Sequence, residues 1–292
     1  MISWSSLRPA DRLNLAFLVF LLFLSGFSHS LIPEVRHLLL LYLSLIVLQL
    51  LLFAGRDRHP LLRLLYDFVL PTVTILLIFD SLGLIVHRVN PHDIDSSLIR
   101  LDYLLTGGYP TVMLESIANP ILTDLLQLAY VSYYLLPLSL GGALLAAGRK
   151  EEFERSLFLI MLCFYLSYVG YLLMPALGPR FTIAHLQHAE LQGWIVTKPV
   201  QDMLNRLEGI KRDAFPSGHT AVALTVLYLA ARFSRPLFFI FLPCVFALIV
   251  STVYCRYHYL SDVLAGIALA LITVIIGESY YAYRTKKIGT RS

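Results

Sequence analysis

Residues 237–282 read LFFIFLPCVFALIVSTVYCRYHYLSDVLAGIALALITVIIGESYYA. Two apolar runs, 237–254 and 259–282, flank the short hinge Cys255-Arg256-Tyr257-His258-Tyr259-Leu260-Ser261-Asp262. A bilayer core needs ~20 mostly apolar residues per helix. Both runs meet that length, and so short a hinge only lets them return as a helical hairpin. The polar residues of the hinge are then held at one membrane face.

Working outward, six more apolar runs cover 13–31, 38–53, 68–86, 121–147, 157–174 and 215–233. The expected fold is all-α and integral to the membrane, with about eight spans. The first run follows Arg8 and Arg12 and reads as a retained anchor, because it is long and lacks a convincing cleavage site. The run from Ile121 is one tilted or extended helix, interrupted only by Asp124. Composition agrees: of 292 residues, 58% are hydrophobic and 14% charged, with a mean hydropathy of +0.72. Soluble domains carry about a quarter charged residues, so a disordered chain, a soluble enzyme and a nucleic-acid binder are all disfavoured. Cys163, Cys244 and Cys255 show neither metal-ligand nor redox spacing.

Sidedness follows from the loops. With an even number of spans both termini share one side, and placing it in the cytoplasm puts 14 of the 23 Lys and Arg residues inside. Two long segments fall outside. Residues 90–120 hold Asp93, Asp95, Asp102 and Glu115, with an amphipathic stretch (Ile94, Leu98, Leu101, Leu104, Leu105) expected to lie in the interface as a short helix. Residues 175–214 form a polar loop with Arg180, Lys198, Arg206, Lys211 and Arg212. Cations gathered on the face that should be poor in them call for an anionic ligand, or for anionic head groups.

Three motifs share that face. Phe215-Pro216-Ser217-Gly218-His219-Thr220 opens a span: Pro suits a first helical turn, Ser217 can cap, and Gly218 lets a ligand approach the backbone. Helix N-termini bind phosphate, and His219 would stand beside it. In the hinge, His258 and Asp262 are spaced i,i+4, so a helix starting near His258 stacks them and the carboxylate fixes the imidazole tautomer. Arg256 is suited to bidentate phosphate recognition. Met174-Pro175-Ala176-Leu177-Gly178-Pro179-Arg180-Phe181 ends a span sharply and presents Arg180. Two histidines, an aspartate and two arginines on one face suit phosphoryl transfer through a phosphohistidine.

The order Gly-Pro-Arg, Pro-Ser-Gly-His, His-x3-Asp resembles the type 2 phosphatidic acid phosphatase superfamily of membrane lipid phosphatases and phosphotransferases. The resemblance covers about residues 66–283 as a six-helix core, leaving 1–65 as a two-helix extension and 284–292 as a basic cytoplasmic tail. It implies that His258 is the nucleophile, Asp262 its orienter and His219 the general acid. It also implies that Arg180, Ser217 and Gly218 hold the phosphate, with no metal or other cofactor. The chain departs from the phosphatase pattern at Leu173 and Thr252, where Lys and Arg are usual; Arg256 is expected to compensate. That reduced pattern is similar to the inositol phosphorylceramide synthase and sphingomyelin synthase branch, as is the stretch 93–137 with Asp102, Gly107, Tyr130, Tyr133, Tyr134 and Pro137.

The expected activity is transfer of a phosphoryl or phospho-head-group from a lipid donor to a lipid alcohol, with lipid phosphate hydrolysis as the alternative. Tyr130, Tyr133 and Tyr134, with Lys211 and Arg212, would line a head-group pocket, unless the tyrosines form an aromatic belt. A transporter is the remote alternative, resting on Asp80 inside the third span. The four-aspartate motif of CDP-alcohol transferases is missing. Cysteines placed at 219 and 258 are expected to label from outside intact cells; labelling only after permeabilisation would overturn this topology.

Overall fold

A computed structural model describes residues 6–207 and 212–289. In chain order the α-helices are α1 (Pro9–Phe27), α2 (Val35–Gly55), α3 (Pro60–Leu64), α4 (Leu70–Val89), α5 (Asp95–Thr106), α6 (Pro110–Met113), α7 (Pro120–Ala146), α8 (Lys150–Leu173), α9 (Pro179–Thr182), α10 (Thr197–Leu207), α11 (Gly218–Phe233), α12 (Arg235–Tyr254) and α13 (Leu260–Gly289). The fold is all-α and membrane-integral. Among the described residues seven helices are long and apolar enough to cross a membrane.

Local chemistry sets the helix ends. Pro9, Pro60 and Pro120 each open a helix, where their missing N–H costs nothing. Asn119 caps α7 by accepting from the Leu122 N–H at 3.0 Å, and α7 then runs unbroken for 27 residues as expected. The first span begins four residues earlier than the apolar count suggests. Arg8 is held by Asp11 and Asp67 and Arg12 by the Leu7 carbonyl, so their charges are tolerated there. The third span is interrupted by a π-turn, Leu65–Val69, just before Pro71. Pro71 cannot donate to the carbonyl one turn back, and the ladder widens there.

The segment expected to span 215–233 forms a helix only from Gly218, because Pro216 and the Ser217 cap hold the preceding residues outside it. Its 16 residues reach about 24 Å at 1.5 Å per residue, short for a lipid-exposed span. It is instead packed among α8, α12 and α13. At the centre of the bundle is α8, the most buried crossing helix, with α1, α4, α7, α11 and α13 around it. The 175–214 segment contains α9 and the strongly amphipathic α10 where a plain polar loop was expected.

A buried polar network ties the first two helices to this centre. Asn14 Nδ2 donates to Gln49 Oε1 at 2.7 Å, Gln49 Nε2 donates to the Asp11 carbonyl at 3.0 Å, and Tyr165 of α8 donates to Asn14 Oδ1. Asn14 and Gln49 are both nearly inaccessible. Asn14→Leu leaves two buried groups unpartnered, each costing about 1–3 kcal/mol. The expected result is a clear fall in melting temperature in detergent; an unchanged value would show that the network does not hold α1 and α2 in place.

Candidate active site

Main-chain hydrogen bonds bring the three motif segments together. The Ala214 N–H donates to the Ala176 carbonyl at 3.1 Å, and the Arg180 N–H to the Arg256 carbonyl at 3.0 Å. The Ser217 N–H donates to the Asp262 carbonyl, also at 3.1 Å. Close approach demands glycine at two points. A Cβ on Gly178, whose φ is +93°, would lie 2.8 Å from the Tyr257 carbonyl oxygen, and one on Gly266 would lie 2.6 Å from that of Ser217.

Within this frame the two histidines face each other, with His258 Nε2 3.4 Å from His219 Nδ1. His258 Nδ1 lies 2.8 Å from the Ala214 carbonyl oxygen. A carbonyl only accepts, so Nδ1 carries the hydrogen and Nε2 keeps its lone pair. The His219 nitrogen opposite is then the donor of the pair. Its ring is packed between Tyr130 and Tyr133, with centroids at 4.4 and 4.2 Å, and its Nε2 has no partner among the described residues.

The start of α11 completes the arrangement. Ser217 Oγ accepts from the Thr220 N–H at 3.3 Å, the cap expected from the sequence. Among the described residues the N–H groups of Gly218 and His219 make no hydrogen bond, leaving the positive end of the helix dipole beside the imidazoles, with the Tyr171 hydroxyl close to Gly218. Such a terminus suits an anion.

Asp262 acts differently from expectation. The helix begins at Leu260, two residues beyond His258, so His258 precedes it, yet the two side chains still meet. Asp262 Oδ2 accepts from the Tyr259 N–H at 2.8 Å and lies 3.4 Å from His258 Nδ1. It therefore caps its own helix while its charge remains close to the imidazole, and the Ala214 carbonyl is the nearer tautomer-setting partner.

A family profile described as the PAP2 superfamily matches residues 96–276, from within α5 to within α13. This chain belongs to the PAP2 superfamily. A PA-phosphatase related-family protein of Dictyostelium discoideum is 22% identical over 186 residues, covering 57% of this chain and 34% of that relative. The chain thus spans about a third of the relative's length. No solved structure matches.

For a PAP2 chain the cationic residues are distributed unexpectedly. Arg180 is linked to the histidine pair through a chain of rings: its guanidinium is 5.4 Å from the Tyr257 ring, which packs on Tyr130 at 4.3 Å, which packs on His219. It also donates to Asn205 Oδ1 of α10 at 3.3 Å. Arg256, expected to bind phosphate, instead donates to Glu115 at 2.8 Å and to the Ala189 carbonyl at 2.7 Å. Burial lowers its pKa from the usual arginine value, with Glu115 opposing the shift. Arg212, expected at a head-group pocket, is held by Asp93 at 2.7 Å. Lys211 lies outside the described residues. Local carboxylates thus take up much of the charge that the sequence left for an anionic ligand.

Tyr130 and Tyr133 are buried on His219 rather than forming a belt, and Tyr134 meets Tyr133 edge-on, one layer further out. Residues missed in the sequence also shape the site. Asp102 accepts from the Leu260 and Ser261 N–H groups, both at 2.8 Å, at the start of α13. Asp95 accepts from the Leu177 and Gly178 N–H groups at 2.9 Å and from the Tyr259 hydroxyl at 2.8 Å. Asp124 accepts four consecutive N–H groups, Trp194 through Thr197, at the start of α10.

Gly266→Ala forces α13 away from the Ser217 carbonyl, an overpacking of about 1–3 kcal/mol, and turnover is expected to fall at least tenfold. Gly142→Ala on α7 meets nothing within 4 Å and is expected to be neutral or to stabilise by up to about 1 kcal/mol. Melting curves and turnover of both variants check the contrast; equal behaviour would show that the close approach at Gly266 is unimportant.

Proposed function

We propose that this protein transfers a phospho-head-group from a lipid donor to a lipid alcohol through a phosphohistidine on His258, in the manner of an inositol phosphorylceramide synthase. The observation that carries the reading is the His258–His219 pair. One imidazole presents an in-plane lone pair, with a second imidazole N–H opposite it at a helix N-terminus.

In the first step His258 Nε2 attacks phosphorus. The N–P bond forms as the P–O bond to diacylglycerol breaks, and His219 protonates the departing oxygen. The Gly218 and His219 N–H groups, with Arg180, stabilise charge on the non-bridging oxygens. In the second step an acceptor hydroxyl attacks phosphorus, gives its proton to His219 and releases His258. Asp262 stabilises the positive charge that develops on the His258 ring.

Transfer rather than hydrolysis is supported by Tyr130 and Tyr133, whose rings cover part of the His219 imidazole and leave that residue only partly exposed. The sequence likeness to the synthase branch at Leu173 and Thr252 supports it too. Leu173 is exposed on α8, whereas the Thr252 carbonyl accepts from the Tyr257 and His258 N–H groups and shapes the hinge. Hydrolysis of a lipid phosphate is the second reading, favoured by the name of the Dictyostelium relative. We also propose cytoplasmic termini and an exterior active site, on the strength of the loop charges.

Purified protein incubated with labelled phosphatidic acid, phosphatidylinositol and ceramide separates the readings. Diacylglycerol plus a new phosphosphingolipid is expected; release of inorganic phosphate alone would favour the hydrolase, and no turnover of any donor would contradict both. His258→Ala is expected to lower turnover by at least about 10³-fold with the fold intact, whereas retained activity would remove His258 as nucleophile. His219→Ala is expected to spare donors with good leaving groups, since these need least protonation; equal losses across donors would argue against the acid role.

A further inference from the structure

The interfacial helix α5 carries two buried carboxylates on one face and an uncovered apolar surface on the other. Asp95, Leu98 and Asp102 are spaced i, i+3, i+7 and are all buried. Asp95 holds the Gly-Pro-Arg turn together with Tyr259, and Asp102 holds the first two N–H groups of α13. One rigid 12-residue helix thus grips the segments on both sides of the histidine pair.

The outer face exposes Leu101, Tyr103, Leu104 and Leu105, with Leu104 71% accessible. α5 packs on α13, a membrane-crossing helix whose Leu264 and Ile267 are also exposed. Exposed apolar residues thus occur on both helices of this contact, one of which is long and apolar enough to cross a membrane. That packing points to lipid at the membrane interface as the occupant of the outer face.

We propose that α5 is a bilayer-seated brace: lipid contact along Leu101, Leu104 and Leu105 presses Asp95 and Asp102 onto the catalytic segments, making these aspartates positioning residues. They touch no reacting atom. Carboxylates bonded to main-chain N–H groups hold a backbone firmly, since each bond is charge-assisted. When α5 lifts from the surface, both segments lose that hold together. This deepens the proposed phosphotransfer reading and rests on it only for its kinetic arm.

The test uses the full chain in phosphatidylcholine nanodiscs and three variants: Asp102→Asn, the double variant Leu104→Glu/Leu105→Glu, and Leu104→Trp. In the unsubstituted protein the Leu260 and Ser261 amides are expected to exchange hydrogen slowly. Asp102→Asn and the double variant should each speed that exchange at least tenfold, while amides in the middle of α12 keep their protection and report an intact fold. In both, kcat should fall at least tenfold with KM within twofold. Combining them should add little, because both act on one contact. Leu104→Trp fluorescence, measured against the unsubstituted protein, should be quenched by brominated lipid.

Unchanged exchange at Leu260 and Ser261 in the double variant would overturn the brace, as would absence of quenching. Neither result depends on which lipid the enzyme uses. A failed phosphotransfer assay would leave both readouts standing.

Discussion

A helix begins with N–H groups that have no partner of their own, and at a membrane face water supplies only part of what they need. This protein meets that constraint with carboxylates borrowed from other helices. Asp102 of α5 takes the first N–H groups of α13, Asp95 takes those of the Gly-Pro-Arg turn, and Asp124 of α7 takes those ahead of α10. Each bond fixes a loop relative to a span. The placement of the histidines depends on these anchors.

The site then has a simple division of labour. Main-chain groups set geometry: the Ala214 carbonyl orients His258, and among the described residues the Gly218 and His219 N–H groups at the start of α11 make no hydrogen bond. Aromatic rings set the surroundings of His219, and Arg180 joins the same wall through Tyr257. Charged side chains mostly stabilise loops, as Arg256 does with Glu115 and Arg212 with Asp93. A phosphate held as proposed by these backbone donors would avoid the cost of burying several unpaired cations.

How much of this the sequence disclosed depended on the range of the interaction involved. Long apolar runs and the Pro216-Ser217-Gly218-His219 cap are local signals; they located the spans, with several ends shifted, and the Ser217 cap, while the α11 helix starts at Gly218 rather than at Phe215. The uninterrupted α7 was equally plain. The partners of Asp95, Asp102 and Asp124 lie 70 to more than 150 positions away in the chain, so their anchoring roles stayed hidden: Asp95 read as exterior acidity, Asp102 as that and as part of the likeness to the synthase branch, and Asp124 as a lone charge in an apolar run. The same distance hid the pairing of Arg256 with Glu115 and made its guanidinium look free for a ligand. A sharper local signal was present at α10, where Thr197 and Pro199 open an amphipathic stretch. His258 and Asp262 meet as their spacing suggested, but the chain bends at His258 and the helix starts only at Leu260, so His258 stands just ahead of it.

The central claim is that His258 Nε2 is the nucleophile, with Nδ1 tied to the Ala214 carbonyl. Its most direct measurement is the isomer of the covalent intermediate. Protein mixed briefly with a phospholipid donor, quenched in alkali and digested, is analysed by phosphorus NMR and mass spectrometry. The account predicts a single adduct on His258 through Nε2. An adduct through Nδ1, an adduct on His219, or steady turnover without any histidine adduct would contradict it.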